Sequence, residues 1–372
     1  MKARLSPSEG TPASLGYRMP AEWEPHFSTI LAFPHHRTDF PRKLSAIPHT
    51  FAEMARVLCQ GERVRLLVAD KREQERAQKI FEAAGVNMDR VDFLRQRTNR
   101  SWTRDSMPLW VTKGRAARSA RSPKAAFASE RSDAVAVKFR FNGWARYRDH
   151  KWDDEAGRRV ARDCAPRYCH PESEPGELAV LEGGSIDVDG AGTLLTTSEC
   201  LVTSARARFK SQEQAERVLS DWLGVKKILW LPQGIIGDDT SGHVDDFARL
   251  APQGKLLLCE ETKKSDANHA PLRAARKALQ GAIDARGRTL EVVRLPMPDP
   301  VFYAGDRLPA SYANFYVANA AVLVPTFNDA RDRDALSIIQ ECFPDRPAVG
   351  IYARDLVVGL GTLHCSTMQQ PL

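Results

Sequence analysis

Residues 211–260 read SQEQAERVLSDWLGVKKILWLPQGIIGDDTSGHVDDFARLAPQGKLLLCE. Four signals follow one another in this stretch. Ser211 stands where a hydroxyl caps a helix, with Glu213 and Glu216 in the first turns behind it. Apolar residues recur at helical spacing as far as Leu223, and Gly224 stops the run. Lys227–Leu231 is a short apolar strand. The polar segment Gly242–Asp246 then leads into a hairpin over Ala248–Cys259, with Gln253-Gly254 at its turn. Helix, strand, polar motif and hairpin together define one unit.

The same order recurs on both sides. Upstream lie helix Lys71–Ala84, stopped by Gly85, strand Val91–Gln96, the polar segment Ser101–Asp105 and strand Pro108–Val111. Helix Asp153–Asp163, the segment Leu181–Ser185 and two strands around Asp189-Gly190 come next. Downstream are helix Ala270–Ile283, strand Leu290–Leu295 and Tyr312–Tyr316 leading into Ala321–Val324. The last unit has helix Asp332–Cys342, with Asp332 read as its cap, strand Ala348–Tyr352 and Leu363–Cys365. From the second unit onward, helix starts lie roughly sixty residues apart, a repeat period. The first interval is longer by about twenty and contains the basic run Lys113–Arg131, read as a solvated surface insertion.

The N-terminal region supplies strand Thr29–Phe33, a helix around Phe51–Leu58 and strand Arg63–Val68. These pieces complete a fifth unit and close a ring, whereas an open row would need polar caps at its ends. In a ring the equivalent segment of every unit faces the axis, so five polar motifs become one site. A doubly wound sheet would need a Gly-rich strand-to-helix turn, and none is present. The expected fold is therefore α/β, a five-bladed ββαβ propeller with pseudo-fivefold symmetry. Residues 1–15 are expected to be a flexible segment and residues 16–372 a single domain.

Composition narrows the function. The 372 residues are 42% hydrophobic, enough for a large core. The net charge is +7, but the basic run has no aromatic residues interleaved for base stacking, which speaks against nucleic acid as a partner. No stretch approaches the roughly eighteen apolar residues of a membrane span. MKARLSPSEGTPASLGYRMP has no apolar run of the kind a secretory leader carries. The seven cysteines are odd in number and scattered, which points to free thiols in a reducing cytoplasm. Cys164 and Cys169 lack the second pair that a zinc site would need.

The five polar motifs bring together Asp105, Glu182, His243, Asp245 and Cys365. A guanidinium offers five N–H donors in a fixed planar fork, which carboxylates match along its edges. A thiolate can attack its central carbon, while a histidine passes a proton to the departing amine and then activates water. Each residue also has a plainer reading. Asp105 could pair with Arg104 at the surface. Glu182 before Gly183-Gly184 could simply leave a tight turn. His243 and Asp245 alternate in a strand-like segment, which would put Asp246 on the opposite, solvated or structural face. Cys365 lies in polar sequence, unlike Cys259 in its apolar run KLLLC.

These motifs resemble those of the agmatine deiminase and bacterial, Porphyromonas-type peptidylarginine deiminase family, within the guanidino-modifying (pentein) superfamily. The likeness runs from about Gly16 onward. MPAEWEPHFSTILAFPHH, SWTRD, FNGWARY, LEGGSIDVDGAGTLLTT, DDTSGHVDD, SYANFYVAN and LHCSTMQQP follow in the family's order. The resemblance implies a ring of five ββαβ units around a central site. It implies Cys365 as nucleophile, His243 as general acid and base, Asp105 and Asp245 as holders of the guanidinium nitrogens, Glu182 as a further acid and Trp102 as a pocket wall. Ammonia would leave, an amidino-thioether would form on the cysteine, and water would release a ureido product without metal or organic cofactor. Agmatine is the substrate first implied, giving N-carbamoylputrescine. Free arginine, peptidyl-arginine or transfer of the amidino group to an amine are the alternatives, and a homo-oligomer is compatible with the family. The chain departs from the agmatine enzymes in carrying Arg146, Arg148, His150, Lys151 and Arg249. Bases at the mouth of the site would disfavour agmatine's second positive charge.

Overall fold

The computed structural model describes residues 3–5, 9–114, 133–203 and 208–372. Most of the basic run Lys113–Arg131 lies outside the described residues. Five sheets of three or more strands form the body. Three share one plan: Ile186–Val188, Thr193–Thr197 and Lys227–Leu231; Ala248–Ala251, Lys255–Glu260 and Glu291–Pro296; Tyr316–Val317, Val322–Thr326 and Ala348–Tyr352. In each, the first two strands pair antiparallel and the third returns parallel to the second. A parallel return needs a long crossover. Helices Gln212–Leu223, His269–Ala278 and Asp332–Cys342 supply it. A fourth sheet repeats the plan with Leu109–Lys113, Val135–Val137, helix Lys151–Cys164 and Arg167–Cys169. The ββαβ blades are those the repeat predicted.

The fifth sheet closes the ring. Met368–Pro371 runs antiparallel to His26–Ala32, and Arg63–Val68 and Val91–Arg95 continue in parallel. Helices Ile47–Leu58 and Lys71–Ala83 make the two crossovers. The N-terminal pieces thus complete the unit that ends in Cys365.

Local chemistry explains the boundaries. Ser211 Oγ accepts from the Gln214 amide at 3.3 Å, and Gly224 closes that helix with φ +69°. Ala215, Val218, Leu219 and Leu223 form its buried stripe. Asp332 corrects an expectation. It is the first helical residue and not the cap, and its carboxylate takes the Phe327 and Asp329 amides and the Tyr312 hydroxyl. It ties down the loop before the helix instead of the helix itself. Near the N-terminus Ala3–Arg4 pairs in parallel with Arg167–Tyr168 along a sheet edge, and Leu5 is buried. Among the described residues no helix is long and apolar enough to cross a membrane.

Candidate active site

The polar motifs sit on short turns between strand and hairpin: Thr103–Ser106, Gly183–Ser185 and Val244–Asp246. Arg104 and Asp105 do not pair with each other. Arg104 turns to Glu22 and Gln369, at 3.0 and 2.8 Å. Asp105 accepts from the Gly184 amide at 2.9 Å and from Trp144 Nε1 at 2.8 Å.

His243 is the hub of the acids. Its Nδ1 lies 3.9 Å from Asp105 Oδ2 and 3.9 Å from Asp245 Oδ1, and its Nε2 lies 4.0 Å from Glu182 Oε2. Glu182 also pairs with the buried Arg208. The plain-turn reading of Gly183-Gly184 fails on one distance set. A Cβ on Gly184 would stand 2.6 Å from His243 Nδ1 and 3.0 Å from both Asp105 Oδ1 and Asp245 Oδ2. No side chain fits there, so the glycine is what lets the three functional groups meet.

Cys365 Sγ lies 3.8 Å from Asp245 Oδ2. Asn314 holds it from the next blade: its Nδ2 is 3.1 Å from the sulfur and 3.0 Å from Asp246 Oδ1, and its Oδ1 accepts from Thr362 at 2.7 Å. Asp246 is therefore part of the site and 2% exposed, not on a solvated face. The alternation argument fails because residues 244–246 form a tight helical turn, where neighbouring side chains no longer alternate. Ligand atoms of Asp245, Asp246 and Cys365 come within 4.8 Å of one another, close enough to hold a cation.

The electrostatics follow from the crowding. Burial, with the charges of Asp245 and Glu182, pushes Asp105 up to about 8. Burial, with Asp245, Asp238 and Asp105, holds Asp246 well above the carboxylate range. Burial, with Asp245, Asp246 and Asp105, pushes the Cys365 thiol well up. Asp245 is the exception. Despite its burial, the hydrogen bond and charge of His364 and the charge of His243 hold it low. Its Oδ1 is buried with no hydrogen-bond partner, and a buried acceptor left open is costly unless a ligand completes it.

A cavity of 390 Å³ leads from solvent to Cys365 and Asp105. Trp102, Trp144, Tyr147 and Gly361 line it, as do Asp39, Asp239 and Asp306. The Trp102 ring is braced by Phe40 at 5.6 Å between ring centroids. Arg249 is not at the mouth. It is buried against Glu22 at 3.0 Å and Asp187 at 3.4 Å. Arg146, more than half exposed, lies 3.9 Å from Asp239.

The structure thus brings together Trp102, Asp105, Glu182, His243, Asp245 and Cys365. Sequence reasoning assigned no role to Glu22, Trp144, Arg208, Asn314 or His364. Trp144 and Asn314 stand inside quoted motifs, FNGWARY and SYANFYVAN, and His364 adjoins the cysteine. Motif membership was the available signal.

Fold and site together place the chain among the five-bladed α/β enzymes that modify guanidino groups. Residues 18–371 match the family model for Porphyromonas-type peptidyl-arginine deiminase, and the chain belongs to that family. The agmatine deiminase of Stutzerimonas stutzeri is 34% identical, with 97% of each chain covered. That of Pseudomonas aeruginosa is 31% identical over 99% of each. The solved agmatine deiminase of Enterococcus faecalis superposes with a TM-score of 0.86 at 27% identity, covering 99% of both chains. An agmatine deiminase of C. jejuni solved with substrate bound gives 0.80 at 26% identity over 96% of both.

Proposed function

We propose that this protein is an agmatine deiminase, hydrolysing the guanidinium to a ureido group and ammonia with Cys365 as nucleophile. One observation carries the reading most directly: Asp105, Asp245 and Asp246 are buried around a single thiol, and Asp245 Oδ1 has no donor. A planar cation supplies N–H groups to all three.

The sequence of events follows from charge. In the empty site burial and the neighbouring acids keep Cys365 protonated. A bound guanidinium offsets the acids and favours the thiolate, the thiol proton passing to His243. Sulfur attacks the central carbon, and His243, beside both Asp105 and Asp245, gives a proton to the departing nitrogen. Ammonia leaves and an amidino-thioether remains. His243 then takes a proton from water as the oxygen attacks the same carbon. The C–S bond breaks, the thiol is restored and the urea-type product is free. Asp105 and Asp245 hold the nitrogens throughout. Glu182, fixed by Arg208, holds the other face of His243.

The mouth supports agmatine over a carboxylate-bearing substrate. Its lining acids are Asp39, Asp239 and Asp306. Its lining base, Arg100, is already paired with Asp39 and Asp149. With Arg146 3.9 Å from Asp239, the acids Asp39, Asp149, Asp239 and Asp306 still outnumber the bases Arg100 and Arg146, which suits a terminal amine. All seven cysteines are free thiols, which supports the cytoplasm as the compartment. The test is ammonia release from agmatine, arginine, a blocked arginine peptide and methylated arginines. Agmatine should exceed the others in kcat/KM. A preference for the peptide or for arginine would overturn the substrate assignment.

A further inference from the structure

Asn314 stands just ahead of strand Tyr316–Val317, buried between the nucleophile's turn and Asp246. Its Oδ1 faces the main-chain amides of His364 at 3.1 Å and Cys365 at 3.4 Å, and the Thr362 hydroxyl at 2.7 Å. Main-chain N–H groups only donate, so the oxygen of the side-chain amide must face them, and this fixes which end is nitrogen. The two hydrogens on Nδ2 then have two acceptors, Cys365 Sγ at 3.1 Å and Asp246 Oδ1 at 3.0 Å. Oδ1 is farther from the sulfur, at 3.4 Å. The Thr362 backbone also bonds to the sulfur, and Asp245 Oδ2 lies 3.8 Å away. A Cβ on Gly361 would stand 3.1 Å from the sulfur, so the glycine there keeps it open to the cavity.

We propose that Asn314 is a catalytic residue: its Nδ2–H holds the Cys365 sulfur and stabilises the negative charge that the sulfur gains as the C–S bond breaks, so it serves product release more than attack. The proposal rests on the deiminase reading, in which the two half-reactions differ in charge. During attack the guanidinium lies among the acids and offsets them, and the amidino-thioether still carries that positive charge. Once water has added to the carbon, with one of its protons on His243, the carbon centre is neutral. The C–S bond then breaks and its electron pair goes to sulfur. The product's hydroxyl proton passes to solvent, a neutral urea leaves, and His243 returns its own proton to the sulfur. At that step a thiolate forms beside Asp245 and Asp246 while the substrate's charge is being lost. A hydrogen bond to a charged acceptor is stronger than one to a neutral acceptor, and a donor already aimed at the place where charge develops needs no rearrangement. Asn314 is held in that aim by the two main-chain amides on its oxygen.

The test follows the covalent adduct through a single turnover of agmatine. Rapid acid quench and intact-protein mass, read as a gain equal to agmatine less ammonia, give its rates of formation and decay. In Asn314→Ala decay should slow by about tenfold to a hundredfold and formation by a smaller factor, so that adduct builds up at saturating agmatine. Asn314→Ala combined with Cys365→Ala should bind agmatine as Cys365→Ala alone does. Unchanged decay overturns the proposal. Equal slowing of both steps also overturns it, because a merely distorted turn would slow both. If Asn314→Ala does not fold, Asn314→Asp takes the same measurement, since it keeps an oxygen for the two main-chain amides and loses the N–H that faces the sulfur. Ammonia release by the wild type with normal decay in the variant leaves the deiminase reading standing and removes Asn314 from it. A wild type that forms no adduct and releases no ammonia with agmatine, arginine or a blocked arginine peptide brings down the reading itself, and the proposal with it.

Discussion

Filling the site with a guanidinium should expel protons from it. In the empty protein Asp105 is pushed up to about 8 by burial and by the charges of Asp245 and Glu182. At pH 7 a carboxyl with that value is protonated in roughly nine molecules of ten. A cation donating to it favours the ionised form and returns the value toward about 4. Binding at pH 7 therefore releases roughly 0.9 proton from Asp105 alone. Asp246 is held well up by burial and its acidic neighbours and can add up to one more. From Asp105 alone, affinity should tighten roughly fiftyfold between pH 6 and pH 8. The assay is calorimetric titration of agmatine into Cys365→Ala, which removes both turnover and the thiol proton. Repeating it in buffers of different ionisation enthalpy gives the proton count as a slope. Asp105→Asn should lower that count by roughly 0.9 and weaken binding. A slope of zero at pH 7, or the same slope in Asp105→Asn, would show that the carboxylates are already charged in the empty site and would refute the reasoning.

Other outcomes follow from the same geometry. Cys365→Ala should abolish ammonia release yet retain agmatine binding, and a variant with substantial turnover would remove Cys365 from its role. Gly184→Ala should lower kcat/KM by on the order of a hundredfold with an unchanged circular dichroism spectrum, because its Cβ would stand 2.6 Å from His243 Nδ1. Trp144→Phe removes a donor to Asp105, so kcat/KM should fall about tenfold and the acid limb should move up by about one unit. Thermal melts give a further check. Asp105 at about 8 and Asp153 at about 7 are carboxyls with raised folded-state values. Their contribution to stability is complete below about 4 and is lost as pH climbs through the folded values. The melting temperature of the ligand-free protein should therefore fall between pH 6 and pH 8, and agmatine should recover more of it at pH 8 than at pH 6.

The repeat was legible because each blade buries the same pattern. Helix 211–223 shows its cap, stripe and stop in the sequence, and strands 227–231 and 348–352 stand where apolar spacing put them. Closure was legible because Thr29–Phe33 and Arg63–Val68 had no partner elsewhere in the pattern. What escaped were groups whose role depends on contacts far along the chain. Glu22 meets His364 across 342 residues, and no local spacing announces that. Asp246 was misplaced because a tight turn replaced the strand that its alternation suggested. Arg249, whose place the sequence leaves open, is drawn inward by two acids that only the fold sets beside it.

The ring is fastened by main-chain pairing between Met368–Pro371 and His26–Ala32, only a few residues beyond Cys365. A chain emerging from the ribosome can form its middle blades from nearby partners, but it cannot fasten this one until residue 371 has been made. Loop closure over so long a span carries its entropy cost before the contacts can repay it. The nucleophile thus reaches its acids only at the last step of assembly. A polypeptide stopped a dozen residues before Pro371 would hold every acid of the site and no nucleophile, so guanidine hydrolysis itself reports that the ring has been closed.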